Sequence, residues 1–271
     1  RFALRQHAAA ALDLTIATSN VNVSAAAYQR STQRQDAAAA DALRGYVGGG
    51  VRVSRLIYEY FLSRHQAQGL VYVVDSFAFY ARTWNEERLQ DTRLFLRAPF
   101  DPSLAGLLIR DPVTRGIGFD YLTGFSKINN KDRFAEDVTP EERTRFNRAY
   151  RPVKQIDDQR IEYLYPKQID QALLTRYFSE FEALLADAQS RGMTVTVVKP
   201  PIPERVAARL PDEKGFDAKL AEVLGRLHIP LKDSTHVGND DKLFYDTDHL
   251  NKDGVLGFFE HSFAPVLTEN R

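Results

Sequence analysis

The 271-residue chain contains no cysteine and no excess of either charge. The lack of cysteine excludes a thiol nucleophile, disulfide bonds and cysteine-ligated metals. Lysine plus arginine equals aspartate plus glutamate at 36 each, so the basic excess typical of nucleic-acid binding is missing and no nucleic-acid partner is expected. No apolar run approaches the roughly 20 residues of a membrane span. The chain begins at Arg1 rather than methionine, which is compatible with removal of a leader or anchor.

Short apolar runs rich in β-branched residues predict buried parallel strands. Three are strong, namely LDLTIAT (12–18), GLVYVVDSF (69–77) and MTVTVVKP (193–200), and LRGYVGG (43–49) is weaker. The segments between them have helical periodicity. The clearest is an apolar stripe from Leu173 to Ala188, closed by Gly192. A further helix is predicted within 216–231, leading to a short strand.

The chain is predicted to end in a helix with Asn251 as its N-cap. Its apolar face comprises Val255, Leu256, Phe259, Phe263 and Val266. Strands alternating with helices predict a single α/β domain with a doubly wound parallel sheet. The segment 82–168 lacks this alternation and is predicted to be an insertion or lid, with one helix beginning at Thr139.

Ligands of open parallel sheets bind beyond the carboxyl ends of the strands. Ser19 follows the first predicted strand, and Asp75 follows the strand at 69–77. Near the C-terminus, FYDTDHLN contains Asp246 and His249. A glycine block also follows the weaker strand, at Gly48, Gly49 and Gly50. A serine, glycines and an Asp/His pair are therefore predicted to converge on one edge.

These residue types suit acyl transfer. A serine hydroxyl becomes a good nucleophile when a histidine takes its proton, and a carboxylate fixes the histidine tautomer. Asp246 and His249 are spaced i, i+3, so one turn of backbone can present both side chains to the same side. Glycine N–H groups could hold the oxyanion. Asn20 and Asp75 are further candidates for substrate contact.

Other interpretations of the same residues remain open. Asp246-Thr-Asp248 also matches an Asp-x-Asp that binds a divalent cation, although no nucleotide-binding fingerprint accompanies it. Asp248 is otherwise expected to be a solvated neighbour, with the role of carboxylate partner to His249 as its alternative, and His236 is expected to be a loop residue, with a place in the lining of the site as its alternative. The glycines could form a tight turn, Ser19 a helix cap, and Asp75 a strand-end cap.

The pattern of Ser19 after the first strand, the glycine block and the C-terminal DHLNKDG resembles the SGNH (GDSL-like) hydrolase superfamily from Leu12 to about Val266. It is most similar to the bacterial branch of alginate-type O-acetyltransferases and the D-alanyl-transfer protein of teichoic-acid synthesis. The resemblance implies a flavodoxin-like three-layer α/β/α fold and no cofactor or metal. It assigns Ser19 as nucleophile, Asp246 as orienting acid and His249 as base.

The resemblance also implies an acyl donor and a glycan-like acceptor, with a membrane-bound acyl-transfer partner as a further possibility. It implies an exported protein, periplasmic or anchored facing the cell envelope. The chain departs from the family at Ala17, where glycine is usual, and at VVDSFAFY (73–80), which replaces the Gly-x-Asn-Asp block. These departures leave two alternatives open: a simple esterase, or a catalytically idle module that binds polysaccharide or a membrane partner.

Overall fold

Helices surround a parallel sheet in the computed structural model, which describes residues 14–18, 50–90, 100–125, 128 and 144–265, with backbone alone for 14–18 and Phe263. The strands and helices are, in order, β1 (Leu14–Thr18), α1 (Val51–Leu62), β2 (Gly69–Val73), α2 (Phe77–Tyr80), α3 (Pro102–Arg110), α4 (Arg115–Thr123), α5 (Lys154–Leu164), α6 (Gln171–Ser190), β3 (Thr194–Lys199), α7 (Glu204–Ala207), α8 (Glu213–Leu227), β4 (Leu231–Asp233) and α9 (Lys252–Phe258). Shorter turns are the π-helical segments Thr83–Glu87 and Phe259–Phe263 and a 3₁₀ turn at Asp241–Leu243.

The described strands form one parallel sheet in the order β1-β2-β3-β4. Thr18 is paired with Val73, and Val73 with Val198, so the carboxyl ends of three strands share one edge. The strands predicted at 12–18, 69–77 and 193–200 are confirmed with shorter bounds, and the α/β class is confirmed. The weaker strand predicted at 43–49 lies outside the described residues.

Both faces of β2 and β3 are covered, as their continuous apolar sequences predict. Every residue of β2 is buried. On one face, Leu70 and Tyr72 belong to the main core, which α1, α6 and α8 complete. On the other face, Val71, Val73 and Val198 pack with Phe258 of α9. The C-terminal helix therefore lies against the sheet.

The longest helix, α6, has clear end signals. The Asp170 carboxylate accepts N–H bonds from Ala172 and Leu173 at 2.9 and 3.2 Å, which satisfies donors left open in the first turn. Its apolar stripe is buried, and Gly192 follows in the left-handed region at φ +79°. Glycine adopts this conformation without steric cost, so the predicted helix end is confirmed.

The closing helix is confirmed, with Asn251 as N-cap, but part of its predicted apolar face is wrong. Leu256 is 48% exposed, whereas Phe258, absent from the prediction, is 3% exposed and packs on the sheet. Both residues lie in the regular helix, before the π-helical turn at Phe259–Phe263, so the way the helix packs on the sheet decides which of them is buried.

The segment 82–168 contributes to the core in its described parts. Helices α3 and α4 pack against α1 around a second apolar cluster that contains Leu104, Leu108 and Tyr121. Trp84 is buried in the main core, and its indole N–H donates to the carbonyl of Leu164 at 3.0 Å. The helix predicted at Thr139 lies outside the described residues.

Across the part of the chain that the structure describes, no helix combines the length and apolar character needed to cross a bilayer.

Candidate functional site

The FYDTDHLN stretch folds into a tight loop that closes on itself. Phe244 and Leu250 form an antiparallel bridge, and the Tyr245 N–H donates to the His249 carbonyl at 2.9 Å. Within the loop, Asp246 Oδ1 accepts the backbone N–H groups of Asp248 at 3.1 Å and His249 at 2.8 Å. An aspartate that accepts N–H groups two and three residues ahead stabilises a turn locally, which explains why this sequence turns here.

The Asp246 carboxylate also holds the imidazole of His249. Nδ1 lies 2.8 Å from Oδ2 and 3.0 Å from Oδ1. The ring stacks on Tyr245, with centroids 5.6 Å apart and planes 15° apart. None of the described residues hydrogen-bonds Nε2. The predicted pairing is therefore present, and it fixes the tautomer that has Nδ1 protonated and Nε2 as acceptor.

The charges of the loop shift both pKa values in opposite directions. Burial alone would raise the pKa of Asp246, but the hydrogen bond and charge of His249, with two backbone N–H groups, lower it below its ordinary 3.8. Burial alone would lower the pKa of His249. The charge of Asp248 and the contact with Asp246 outweigh it, and they raise the pKa above 6.5. His249 is therefore a stronger base than a solvated imidazole.

The residues after His249 have structural reasons for their identity. The Asn251 Oδ1 accepts the N–H groups of Asp253 at 3.1 Å and Gly254 at 3.0 Å, which caps α9. Its Nδ2 donates to the Lys242 carbonyl at 2.6 Å. A methyl group at Gly254 would overlap the backbone carbonyl of Leu243. Asn251 and Gly254 of the NKDG segment therefore hold the start of α9 close against the loop.

Asp248 is not the solvated neighbour that the sequence predicts. Its two oxygens accept from Arg160 Nε at 2.7 Å and Nη2 at 2.9 Å, and its side chain is 11% exposed. Arg160 lies on α5, 88 residues earlier in the sequence. The pairing is bidentate, which is the geometry that a guanidinium favours with carboxylates. Asp248 is therefore fixed beside His249 rather than solvated.

Asp157, one turn before Arg160 on α5, anchors the same loop. It is 2% exposed and accepts from Thr247 Oγ1 at 2.9 Å. Arg205 of α7 pairs with Asp157 at 3.0 Å and donates to the Thr247 carbonyl at 3.3 Å. Sequence reasoning missed all three contacts. The only available signal was the i, i+3 spacing of Asp157 and Arg160, which gives no indication of a partner about 90 residues away.

A cleft opens beside His249 at the carboxyl edge of the sheet. Asp75, after β2, and His249 both line it, so these two predicted residues share one site. The remaining lining is mostly apolar and comprises Phe77, Leu164, Tyr165, Pro200, Pro201, Ile202, Val206, Leu210, Asp248, Leu250 and Val255. Such a surface suits an acyl group better than a highly charged ligand.

Gly50 does not suit the role of an oxyanion donor. Its N–H already donates to the Trp84 carbonyl at 2.6 Å, and it is not among the described residues that line the cleft. A Cβ there would meet the Asn85 side chain, so close packing accounts for this glycine. Ser19, Asn20, Gly48 and Gly49 lie outside the described residues. The strand before Ser19 ends at Thr18, on the edge where Val73 also lies.

A second buried network occupies the same edge. Lys199, the last residue of β3, is 2% exposed and pairs with Glu213 at 2.6 Å. Burial would lower the pKa of Lys199, but Glu213 and Asp217 raise it above 10.5, which keeps the ammonium charged. Ser76 donates to Glu213 at 2.6 Å and lies 2.6 Å from the Tyr165 hydroxyl. Ser76 is therefore held in this network rather than by His249.

The two carboxylates of the loop that could ligate a metal ion already have positively charged or protonated partners. Asp246, Asp248 and His249 each offer a ligand atom within 4.8 Å of the others. Yet Asp248 is held on both oxygens by a guanidinium, and Asp246 holds the protonated Nδ1. A divalent cation would have to displace these positive partners and face the charge of Arg160. The geometry favours the Asp–His pair.

A scan against models of known protein families finds no match to this chain, and a search of curated proteins finds no similar sequence.

Proposed function

We propose that this protein is a serine-dependent acyl-transfer enzyme of the SGNH type, with a flavodoxin-like three-layer fold. The observation that carries the proposal is the contact between His249 Nδ1 and the Asp246 carboxylate at 2.8 Å, beside an apolar cleft. That contact leaves Nε2 facing away from the carboxylate, as a general base requires. Ser19, directly after β1, is the proposed nucleophile.

The proposed chemistry proceeds in two steps. His249 Nε2 takes the proton of Ser19 while the serine oxygen attacks an ester carbonyl, and the resulting imidazolium is stabilised by Asp246. His249 then gives the proton to the leaving alcohol as the ester bond breaks. In the second step a hydroxyl or water, deprotonated by His249, attacks the acyl-enzyme, and His249 returns that proton to the Ser19 oxygen as its bond to the acyl group breaks.

Transfer to a cell-envelope glycan is the preferred form of the reaction, and simple ester hydrolysis is the second. The support is an exposed aromatic close to the loop. Tyr163 on α5 is 53% exposed, and the Arg160 guanidinium lies 5.6 Å from its ring centre. Arg88 donates to its hydroxyl at 3.0 Å. An exposed aromatic face suits the stacking of a sugar ring. An exported location, a glycan acceptor and a membrane-bound donor partner belong to the same proposal.

The test is labelling with a fluorophosphonate probe, followed by intact-mass detection and peptide mapping. One adduct on Ser19 is expected in the wild-type protein. It should be absent in Ser19→Ala, and its formation should be slowed about 10⁴-fold in Asp246→Asn, because the wrong tautomer is then favoured. His249→Ala should also abolish it.

Ser190→Ala and His236→Ala are the matched controls, because both residues are exposed and lie outside the loop. Both should label as the wild type does. An adduct on Ser76 would move the nucleophile to the second network. No adduct in a protein with a native circular dichroism spectrum would favour the idle binding module.

A further inference from the structure

The loop that carries His249 contains two carboxylates that compete for one imidazole. Asp246 holds Nδ1 at 2.8 Å, and Asp248 Oδ1 is 3.8 Å from the same nitrogen. Only one of these contacts is a hydrogen bond. A small rotation of the Asp248 side chain would bring Oδ1 within hydrogen-bond distance of Nδ1, and the ring would then turn away from its present orientation.

Arg160 opposes this rotation. Its guanidinium binds both oxygens of Asp248 at 2.7 and 2.9 Å, and its side chain is 25% exposed. Its positive charge also offsets the negative charge of Asp248 near the imidazole. Arg160 is held in turn by α5, which Asp157 ties to Thr247 of the same loop at 2.9 Å.

We propose that Arg160 is a positioning residue for His249, acting through Asp248: it reserves Nδ1 for Asp246 and limits the basicity of the imidazole. The inference rests on the proposed function for its catalytic meaning, but its effect on His249 is independent of any activity. Neither the motif nor the resemblance includes a residue of α5.

The charged and titratable groups that face His249 set the direction in which its pKa should change. They are Asp246 and Asp248 in its own loop, Arg160 on α5, and Asp75 and Tyr165 across the cleft. Asp248 raises the pKa of His249 and Arg160 lowers it. Removing the guanidinium therefore raises the pKa of His249, both directly and by freeing Asp248 to approach Nδ1.

The first experiment is an NMR titration of the histidine ring carbons, with the His249 signal assigned by its loss in His249→Gln. Arg160→Met should raise the pKa of His249 by roughly one unit, the scale on which a nearby charge acts. Arg160→Lys should restore part of the shift. Arg226→Met is the matched control, since Arg226 binds Glu182 at 2.9 and 2.7 Å on another surface. It should leave the His249 titration unchanged.

The decisive variant is Arg160→Met combined with Asp248→Asn. If Arg160 acts through Asp248, adding Arg160→Met to Asp248→Asn should raise the pKa of His249 much less than adding it to the wild type does, with Asp248→Asn alone as the reference. An Arg160→Met shift that persists undiminished beside Asp248→Asn, or an unshifted pKa in Arg160→Met alone, would overturn the proposal.

The same variants connect the effect to catalysis. In Arg160→Met the acidic limb of the pH dependence of fluorophosphonate labelling should move up with the pKa measured by NMR. A rate loss with no movement of that limb would indicate a merely structural role and would also overturn the proposal. If no variant labels at all while the NMR shifts appear, the proposed function fails and the positioning role of Arg160 stands.

Discussion

At the scale of single residues, the loop at 244–251 and the start of α9 depend on residues that make several hydrogen bonds at once or leave no room for a larger side chain. The Asp246 carboxylate accepts hydrogen bonds from two backbone N–H groups and from the imidazole of His249. Asn251 caps α9 while its amide ties the chain to Lys242. Gly254 lies where any side chain would meet the Leu243 carbonyl. The motif is therefore a folding signal, whatever chemistry it also carries.

Gly254→Ala should destabilise the protein by about 1–3 kcal/mol, because the new methyl group forces α9 away from the Leu243 carbonyl. Gly257→Ala, in the same helix, is the matched control: a methyl there meets no atom within 4 Å. It should stabilise the protein by about 0.5–1 kcal/mol through lower backbone entropy. Urea denaturation measures both changes. Equal effects of the two substitutions would contradict this account of the motif.

At the scale of elements, α5 is the helix that supports the candidate site. It presents Asp157 to Thr247 and Arg160 to Asp248 from successive turns of one face. This helix lies within the segment 82–168, which the sequence predicts to be an insertion or lid. Leu164, at its end, is buried in the main core and lines the cleft. In its described part, this segment supplies contacts that hold the loop as well as a wall of the cleft.

Asp157→Ala should cost about 3 kcal/mol of the free energy of unfolding, since it leaves the largely buried Arg205 without one of its carboxylates. It should also slow labelling of Ser19, because Thr247 loses its anchor. Asp158→Ala is the control from the adjacent position. Its carboxylate is 42% exposed and pairs with Lys154 and Arg209, which both reach solvent, so the cost should stay below about 1 kcal/mol. Chemical denaturation of both variants compares them, and a cost for Asp157→Ala as small as that for Asp158→Ala would contradict the anchoring role.

At the scale of the whole molecule, the raised pKa of His249 links folding to pH. A group with a higher pKa in the folded state stabilises the protein fully below its unfolded pKa, here 6.5, and loses that contribution as pH rises through the folded value. The lowered pKa of Asp246 acts in the opposite direction, and its contribution disappears only in acid, below 3.8. The pair therefore stabilises the fold most between these limits.

The stability difference between wild type and His249→Gln should therefore shrink as pH rises from about 5.5 to about 9. Urea denaturation at several pH values across this range gives the difference directly, and titrations of groups that do not contact His249 cancel between the two proteins. A difference that stays constant or grows with pH would mean that His249 is not held by its carboxylates in the folded state.

The sequence by itself determined the local features. Continuous apolar runs predict strands that are buried on both faces, Gly192 predicts the end of α6, and Asn251 predicts the start of α9. Asp246 and His249 could be paired from sequence because they are only three positions apart, and a single turn brings them together. Each of these features depends on short-range sterics and hydrogen bonds, which the sequence records directly.

Only the tertiary structure decided the environment of the pair. Asp248 became an ion-pair partner because α5 brings Arg160 to it from 88 residues away. Gly50 turned out to donate its N–H to Trp84, and the closing helix buried Phe258 instead of Leu256. These outcomes depend on which elements pack together, and burial of apolar surface, which drives that packing, is non-directional and is not encoded in any one segment.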